Sequence, residues 1–447
     1  MTNKSNSFIE NKTQLIQYFK DGIKKDTDLR IGVEHEKFLF NKTDLKRINY
    51  DQIKKIFEIL KDKGWEPQLE KDKLIGLKRQ NQKITTEPGF QYELSGAPFK
   101  NIHSVCSENS SHFNELKEVF KSTNITTSSI AYDPFNKLID IPKSPKERYK
   151  IMTAEMPKGG KLSLDMMYKT AGIQINYDYT SEKDFEKKFK IGNYLAPLTI
   201  ALFANSPFNE NKLSGFLSYR GKVWQETNRG GIMPITFENV NFEKYIDHAI
   251  NYPILFLKKN GKYYSPNGQT FRDFLNGNLS FLKGEKPTLE DFENHLGTIF
   301  TEIRLKQVIE FRSLDTCNFG CICNGPSFFT GLIYGSLDET YEIIKNWKKE
   351  EVMDAYLNAP KQGLNTLLKN KKLIDWAKIF LDISKKGLDK RNELNKSGKN
   401  ETIYLKHIEE IIKNKKTRAE MLIEQFNKTN NLNFLVNHDE NFSYSGF

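Results

Sequence analysis

LRIGVEHEKFLF, residues 29–40, alternates apolar and polar side chains, with Ile31, Val33 and Leu39 on one parity and Glu34 and Glu36 on the other. A period of two marks a strand with one side in a core. Val33 and His35 then point one way, while both carboxylates project the other way. Like charges side by side are costly on a strand, which disfavours glutamate, so the pair calls for a compensating cation. A solvated outer face accommodates the same pattern. His35, on the apolar side, is expected to pack.

Three further segments share this design. TTEPGFQYELSGAP (85–98) places Glu87 before a Pro88-Gly89 reversal and Glu93 after it, so a hairpin brings the two carboxylates onto neighbouring strands. ENHLGTIFTEIRLKQVIEFR (293–312) sets Ile303, Leu305, Ile309 and Phe311 against Glu302, Arg304, Lys306, Glu310 and Arg312. GIQINYDY (172–179) sets Ile173, Ile175, Tyr177 and Tyr179 against Gln174, Asn176 and Asp178. The polar sides are expected to line one cleft whose acidic residues are Glu34, Glu36, Glu87, Glu93 and Glu310. Hard oxygen donors in that density suit Mg²⁺ shared with phosphate oxygens, and the neighbouring basic groups suit phosphate and carboxylate.

Outward from these strands, helical spacing is read at 8–23, 50–63, 101–122 and 181–204, and further strands at 73–78 and 82–87. From about residue 326 helices dominate (327–347, 373–387, 401–413, 417–427) with no convincing strand. Strands early and helices late give an α+β fold rather than βαβ alternation. The organisation expected is one catalytic domain over 1–430, helical from about 326, and a polar tail over 431–447. No repeat, Walker A loop, Rossmann turn, GxSxG elbow or HExxH helix is present.

The 447 residues are 38% hydrophobic and 28% charged, which excludes a disordered chain. Lys+Arg 68 exceed Asp+Glu 57, but the acids are spread throughout, so the excess favours anionic substrates over a nucleic-acid face. No run approaches the ~18 apolar residues of a membrane span, and the first residues lack the apolar core of a signal peptide, so a soluble cytoplasmic protein is expected. The four cysteines do not form the dense framework of a secreted domain and are read as free thiols in a reducing compartment. Two arginines outside the strands stand out. Arg220 and Trp224, one helical step apart in FLSYRGKVW, could grip a carboxylate beside an indole wall, and Arg148 sits where a loop opens toward a helix.

Taken in order, GVEHEKFLF, TTEPGFQYELSGAP, SLDMMYKTAGIQINYDY, ALFANSPF, FLSYRGKVW, TFRDFL, ENHLGTIFTEIRLK and EFR resemble the plant-type glutamate-cysteine ligases over about residues 10–430. The resemblance implies a glutamine-synthetase-like fold, a curved antiparallel sheet whose open face is the active-site cleft. It implies ATP-dependent joining of the L-glutamate side-chain carboxylate to the amine of L-cysteine through a γ-glutamyl phosphate, the first step toward glutathione, by a monomer or homodimer. By position it assigns Glu34, Glu36, Glu87, Glu93 and Glu310 to Mg²⁺ and the ATP phosphates. Arg220 and Trp224 fall to the glutamate site, Arg148 to a mobile arginine near the reacting groups, Arg304 and Arg312 to phosphate, and Gln174 and Asn176 to orienting polar groups. A regulatory disulfide of some plant members aligns with Pro266 and Phe281 and should be absent. A second pair aligns with Cys106 and Cys323, which could bridge, although a reducing compartment argues against it. Another carboxylate-amine ligase of the same superfamily is the alternative, and a non-catalytic polyanion-binding protein a distant one.

Overall fold

Four runs of alternating residues do become strands of a single sheet in the computed structural model, which describes residues 7–436 apart from the side chain of Phe319. The strands are β1 (Ile31–Asn41), β2 (Glu66–Glu70), β3 (Lys73–Arg79), β4 (Gln82–Thr86), β5 (Tyr92–Ser95), β6 (Ile125–Ser128), β7 (Gly172–Tyr177), β8 (Ile303–Leu305) and β9 (Ile309–Asp315). They run in the order β8-β9-β7-β1-β5-β4-β3-β2, with β6 added to β1. Every pairing is antiparallel. β1 is shared: its first half lies between β7 and β5, and from Phe38 it pairs with β6.

Register follows the apolar parity. Val33, Ile173, Ile175, Ile303, Leu305, Ile309 and Phe311 are all at most 2% exposed, on the side covered by helices. Each such burial contributes roughly 2 kcal/mol, so a one-residue slip, which would turn all of them outward, is excluded. The covering layer includes the helices Glu182–Tyr194, Ala196–Leu202, Asn324–Thr330 and Leu373–Arg391. The expected helix over 181–204 is therefore two, parted at Leu195, because Pro197 in the first turn of the second has no N–H to continue the ladder. Asn324–Thr330 runs into a π-turn over Gly331–Gly335, which packs on Leu373–Arg391 through glycines: a methyl added to Gly335 would fall on the backbone of Gly387.

The α+β expectation holds, with corrections in detail. Strands β2 and β6 and the helix Lys349–Gln362 escape the periodicity reading, the last because Pro360 and small polar residues dilute its stripe. Beyond residue 326 a short hairpin, Leu367–Leu368 with Lys371–Lys372, does occur. The tail expected from 431 instead packs as far as Val436, burying Leu432, Leu435 and Val436 against Phe38 and Phe40; residues 437–447 lie outside the described ones. The free-thiol expectation is also corrected. Cys106 on the helix Ile102–Ser122 is bonded to Cys323, and Cys317 to Cys321 across a 3₁₀ turn, with Cα separations of 6.1 Å in each case. The sheet brings the first pair together across 217 residues of sequence, a proximity that spacing cannot reveal. Among the described residues no helix is long and apolar enough to cross a membrane.

Candidate active site

On its other side the sheet is open and carries the polar parity. Pairing sets Glu36 opposite Glu93, Glu34 opposite Gln174, Asn176 opposite Glu310 and Arg304 opposite Glu310. These residues flank a cleft of about 540 Å³ lined by Glu34, Glu36, Glu87, Glu93, Arg148, Gln174, Arg304 and Arg312. That size and polarity suit a phosphorylated small molecule.

The turn that carries Glu87 is built tightly. Glu87 N–H donates to the Gln91 carbonyl at 2.9 Å, and Phe90 takes a left-handed φ of 58°, a strained choice for a bulky residue. Buried Arg47 braces it, donating to the Gly89 carbonyl while pairing with Asp133 at 3.3 Å. Gln91 ties the turn to the next wall through the Met167 and Thr170 carbonyls, at 3.1 and 2.9 Å. Glu87 is thereby held over Glu36 and Glu93.

Electrostatics divides the carboxylates into two groups. Glu36 accepts from Gly172 N–H at 2.6 Å and Gln174 Nε2 at 2.7 Å. Burial, and then the charge of Glu87, nevertheless push its carboxyl up to about 7. Burial followed by Glu87, Glu34 and Glu36 holds Glu93 well above the ordinary range, despite a 2.8 Å bond from Ser95 Oγ. Burial and then Glu310 raise Glu34, which accepts from Asn176 Nδ2 at 3.0 Å. These three lack a sufficient counter-charge within the chain. Glu310 is the opposite case. Burial alone would raise it, yet Arg304 and then Arg312 draw it far below the usual range. Arg304 clamps it with two bonds of 2.8 Å, and Arg312 donates to it as well.

The expectation that Glu310 serves a cation thus meets a carboxylate already engaged by guanidinium donors of the chain. Ligation by Glu310 would require opening these contacts. Among the described residues no three ligand-type side chains converge tightly enough to clasp an ion unaided. Mg²⁺ does not demand that, since it keeps waters and takes one or two carboxylates plus substrate phosphates. The donor chemistry of Glu36, Glu87 and Glu93, with like charges left uncompensated, fits such an ion.

Arg220 and Trp224 do fall on one helix, Tyr219–Gln225, capped by Ser218. Arg220 is only 3% exposed; it donates to the Arg312 carbonyl at 2.9 Å and lies 5.2 Å from the Trp224 ring centre, with Arg312 5.3 Å from the same ring. Asp315, accepting from Asn205 N–H, Ser206 Oγ and Ser218 Oγ at 2.8, 2.7 and 3.0 Å, sits 3.8 Å from Arg220 and fixes this corner. Arg148, at the start of the helix Glu147–Glu155, lies over the Tyr149 ring at 5.0 Å. Gln174 also accepts from Arg312 Nη1 at 3.2 Å, so Gln174 and Asn176 orient the carboxylates themselves.

Sequence reasoning missed several members of the site. Lys146 Nζ donates to the Thr86 carbonyl at 2.8 Å, and burial and then Arg148 lower it to about 8. Lys83, Tyr149 and Glu293 line the cleft itself, together with Lys306, which the alternation over 302–312 places on the polar side. A smaller recess shares Glu36, Glu87 and Arg312 with the cleft and adds Met166, Met167 and Trp224 beside Pro88, Gln91 and Thr170, with Met152 and Phe300 common to both. The paired methionines of SLDMMYK were its one visible signal.

Comparison with known proteins agrees with this geometry. The glutamate-cysteine ligase family 2 description matches residues 30–438. The chloroplastic glutamate–cysteine ligase of Solanum lycopersicum is 40% identical over 421 residues, covering 93% of this chain and 79% of that one. The Arabidopsis thaliana chloroplastic enzyme is 40% identical over 422 residues, covering 93% and 80%. Among solved structures, the Francisella tularensis glutamate–cysteine ligase in complex with AMP superposes with a TM-score of 0.55 at 15% identity, covering 91% of this chain and 86% of that one, a likeness of fold. The strand that bears Glu34 and Glu36, the Glu87 turn and the arginine-clamped edge all lie inside the matched span, and the chain belongs to glutamate-cysteine ligase family 2.

Proposed function

We propose that the cleft joins the γ-carboxylate of L-glutamate to the amine of L-cysteine at the expense of ATP, giving γ-glutamylcysteine, with its two electrostatic halves dividing the work. One observation carries this reading: uncompensated carboxylates (Glu34, Glu36, Glu93) and arginine-rich edges (Arg148, Arg304, Arg312) face each other across one cavity of about 540 Å³. A carboxylate is a poor acyl donor, so it must first take a phosphoryl group, and the barrier lies in bringing two anions together.

Arg148, Lys146 and Lys306 supply positive charge where the phosphoryl group and the glutamate carboxylate meet. Arg304 is already committed to Glu310 and acts by holding Glu310 and Arg312 in place. Glu36, Glu87 and Glu93 would hold Mg²⁺, which when bound supplies charge neutralisation to the ATP phosphates. Arg220, buried close to Glu36 and Arg312, would draw the glutamate carboxylate, and Trp224 walls the recess beside it. The methionine-walled recess, soft and polarizable, suits the small thiol side chain of cysteine, and the unpartnered Trp224 Nε1–H beside it is a free donor. The reading is tested by phosphate release with Mg-ATP, glutamate and a panel of amines, the product identified by mass. Cysteine should be preferred over alanine and serine. Equal use of all three would leave a carboxylate-amine ligase and remove the specific amine.

A further inference from the structure

Behind β1, on the side away from the carboxylates, lies a second recess. Its walls come from β1 at His35 and Lys37, from Ser128 at the end of β6, from Asn205, from the loop after β9 at Cys317, and from Arg418 on the helix Arg418–Thr429. Three of these side chains are basic, and among the described residues no carboxylate lines the space. Lys37, 7% exposed, makes a hydrogen bond of 2.6 Å to His35 Nδ1; burial lowers it to about 7, opposed only by Glu93 on the other side of the sheet. Among the described residues neither Lys37 nor Arg418 forms an ion pair. Arg418 Nε, Ser128 Oγ and Asn205 Oδ1 are all buried without a hydrogen-bond partner.

Such a gathering of unmet polar atoms around basic groups is costly unless something fills it. The recess offers about 50 Å³, several times what one water needs and far below what a nucleotide needs. We propose that this recess binds a small tetrahedral oxyanion of the phosphate class, seated between Lys37 and Arg418 on the reverse of β1. Arg418 provides the fixed charge, and Lys37 Nζ and the Ser128 hydroxyl donate. Asn205 Oδ1, an acceptor, suits the P–OH of hydrogen phosphate, so phosphate should bind more tightly than sulfate. The inference does not depend on which amine the cleft accepts.

The test is calorimetric titration of the full-length protein with inorganic phosphate, without nucleotide or divalent ion. Phosphate also reaches the cleft, so Arg148→Gln serves as the cleft control, and thermal unfolding without anion checks each variant's fold. The expected result is a binding component that survives Arg148→Gln, weakens at least tenfold in Arg418→Gln and several-fold in Ser128→Ala, and is weaker for sulfate. The proposal is overturned if all phosphate binding disappears with Arg148→Gln, if neither Arg418→Gln nor Ser128→Ala alters affinity, or if acetate or sulfate binds at least as tightly as phosphate.

Discussion

Replacing Glu36 by glutamine should stabilise the metal-free protein while abolishing most of its turnover. Glu36 is held near pKa 7 against an ordinary 4.5. A carboxyl raised in this way penalises the fold once the unfolded chain ionises; the penalty begins near pH 4.5, grows with pH and is complete above about pH 7. At 1.36 kcal/mol per unit it amounts to roughly 3 kcal/mol. Glutamine removes that penalty but cannot accept from both Gly172 N–H and Gln174 Nε2, a loss of about 1 kcal/mol. A net gain of roughly 2 kcal/mol spread over an unfolding entropy of about 0.9 kcal/mol per kelvin raises the midpoint by about 2 °C at pH 8. At pH 5 most of the penalty is already absent in the parent chain, so the two midpoints should nearly coincide. Differential scanning fluorimetry with chelator at both pH values reads this directly, and phosphate release with Mg-ATP reads the lost activity. A variant that melts lower than the parent at pH 8, by as much as at pH 5, would refute the account of uncompensated charge.

Arg220→Ala is expected to raise the KM for glutamate far more than that for ATP, measured by varying each substrate in turn; equal changes would remove Arg220 from the glutamate site. Arg304→Met strands Glu310 without its two-pronged partner and should cost roughly 3–5 kcal/mol, seen as a midpoint lower by several degrees, and Glu310→Gln in the same background should recover part of it. Cys106→Ser opens a cross-link spanning 217 residues, for which about 2–4 kcal/mol of stability should be lost; an unchanged midpoint in denaturant would show that the bond constrains little.

Parity carried most of what was legible. Because a strand alternates strictly, the positions of Glu34, Glu36, Glu93, Gln174, Asn176, Arg304 and Glu310 on one face followed from their apolar neighbours, and pairing register then placed them side by side. What parity cannot supply is the third dimension of charge. That Glu310 is neutralised within the chain while Glu93 is not depends on how far Arg304 and Arg312 reach across β8 and β9. Lys146 and Lys83 gave no signal because lysines abound throughout, and only folding sets Lys83 on the cleft wall and Lys146 against the Thr86 carbonyl. The Cys106–Cys323 pair was visible only through the resemblance, and composition argued against its closing; its two ends become neighbours only once the helix Ile102–Ser122 lies against the loop after β9.

The glycine crossing between the turn at Gly331–Gly335 and the rod Leu373–Arg391 makes the rear of the molecule behave like a dovetail joint. With backbone resting on backbone at Gly335 and Gly387, there is no cushion of side chains to absorb a displacement, so a single added methyl acts as a wedge. Variation at these two points should therefore be felt as a coordinated shift of the whole rear layer against the strands, rather than as a local dent.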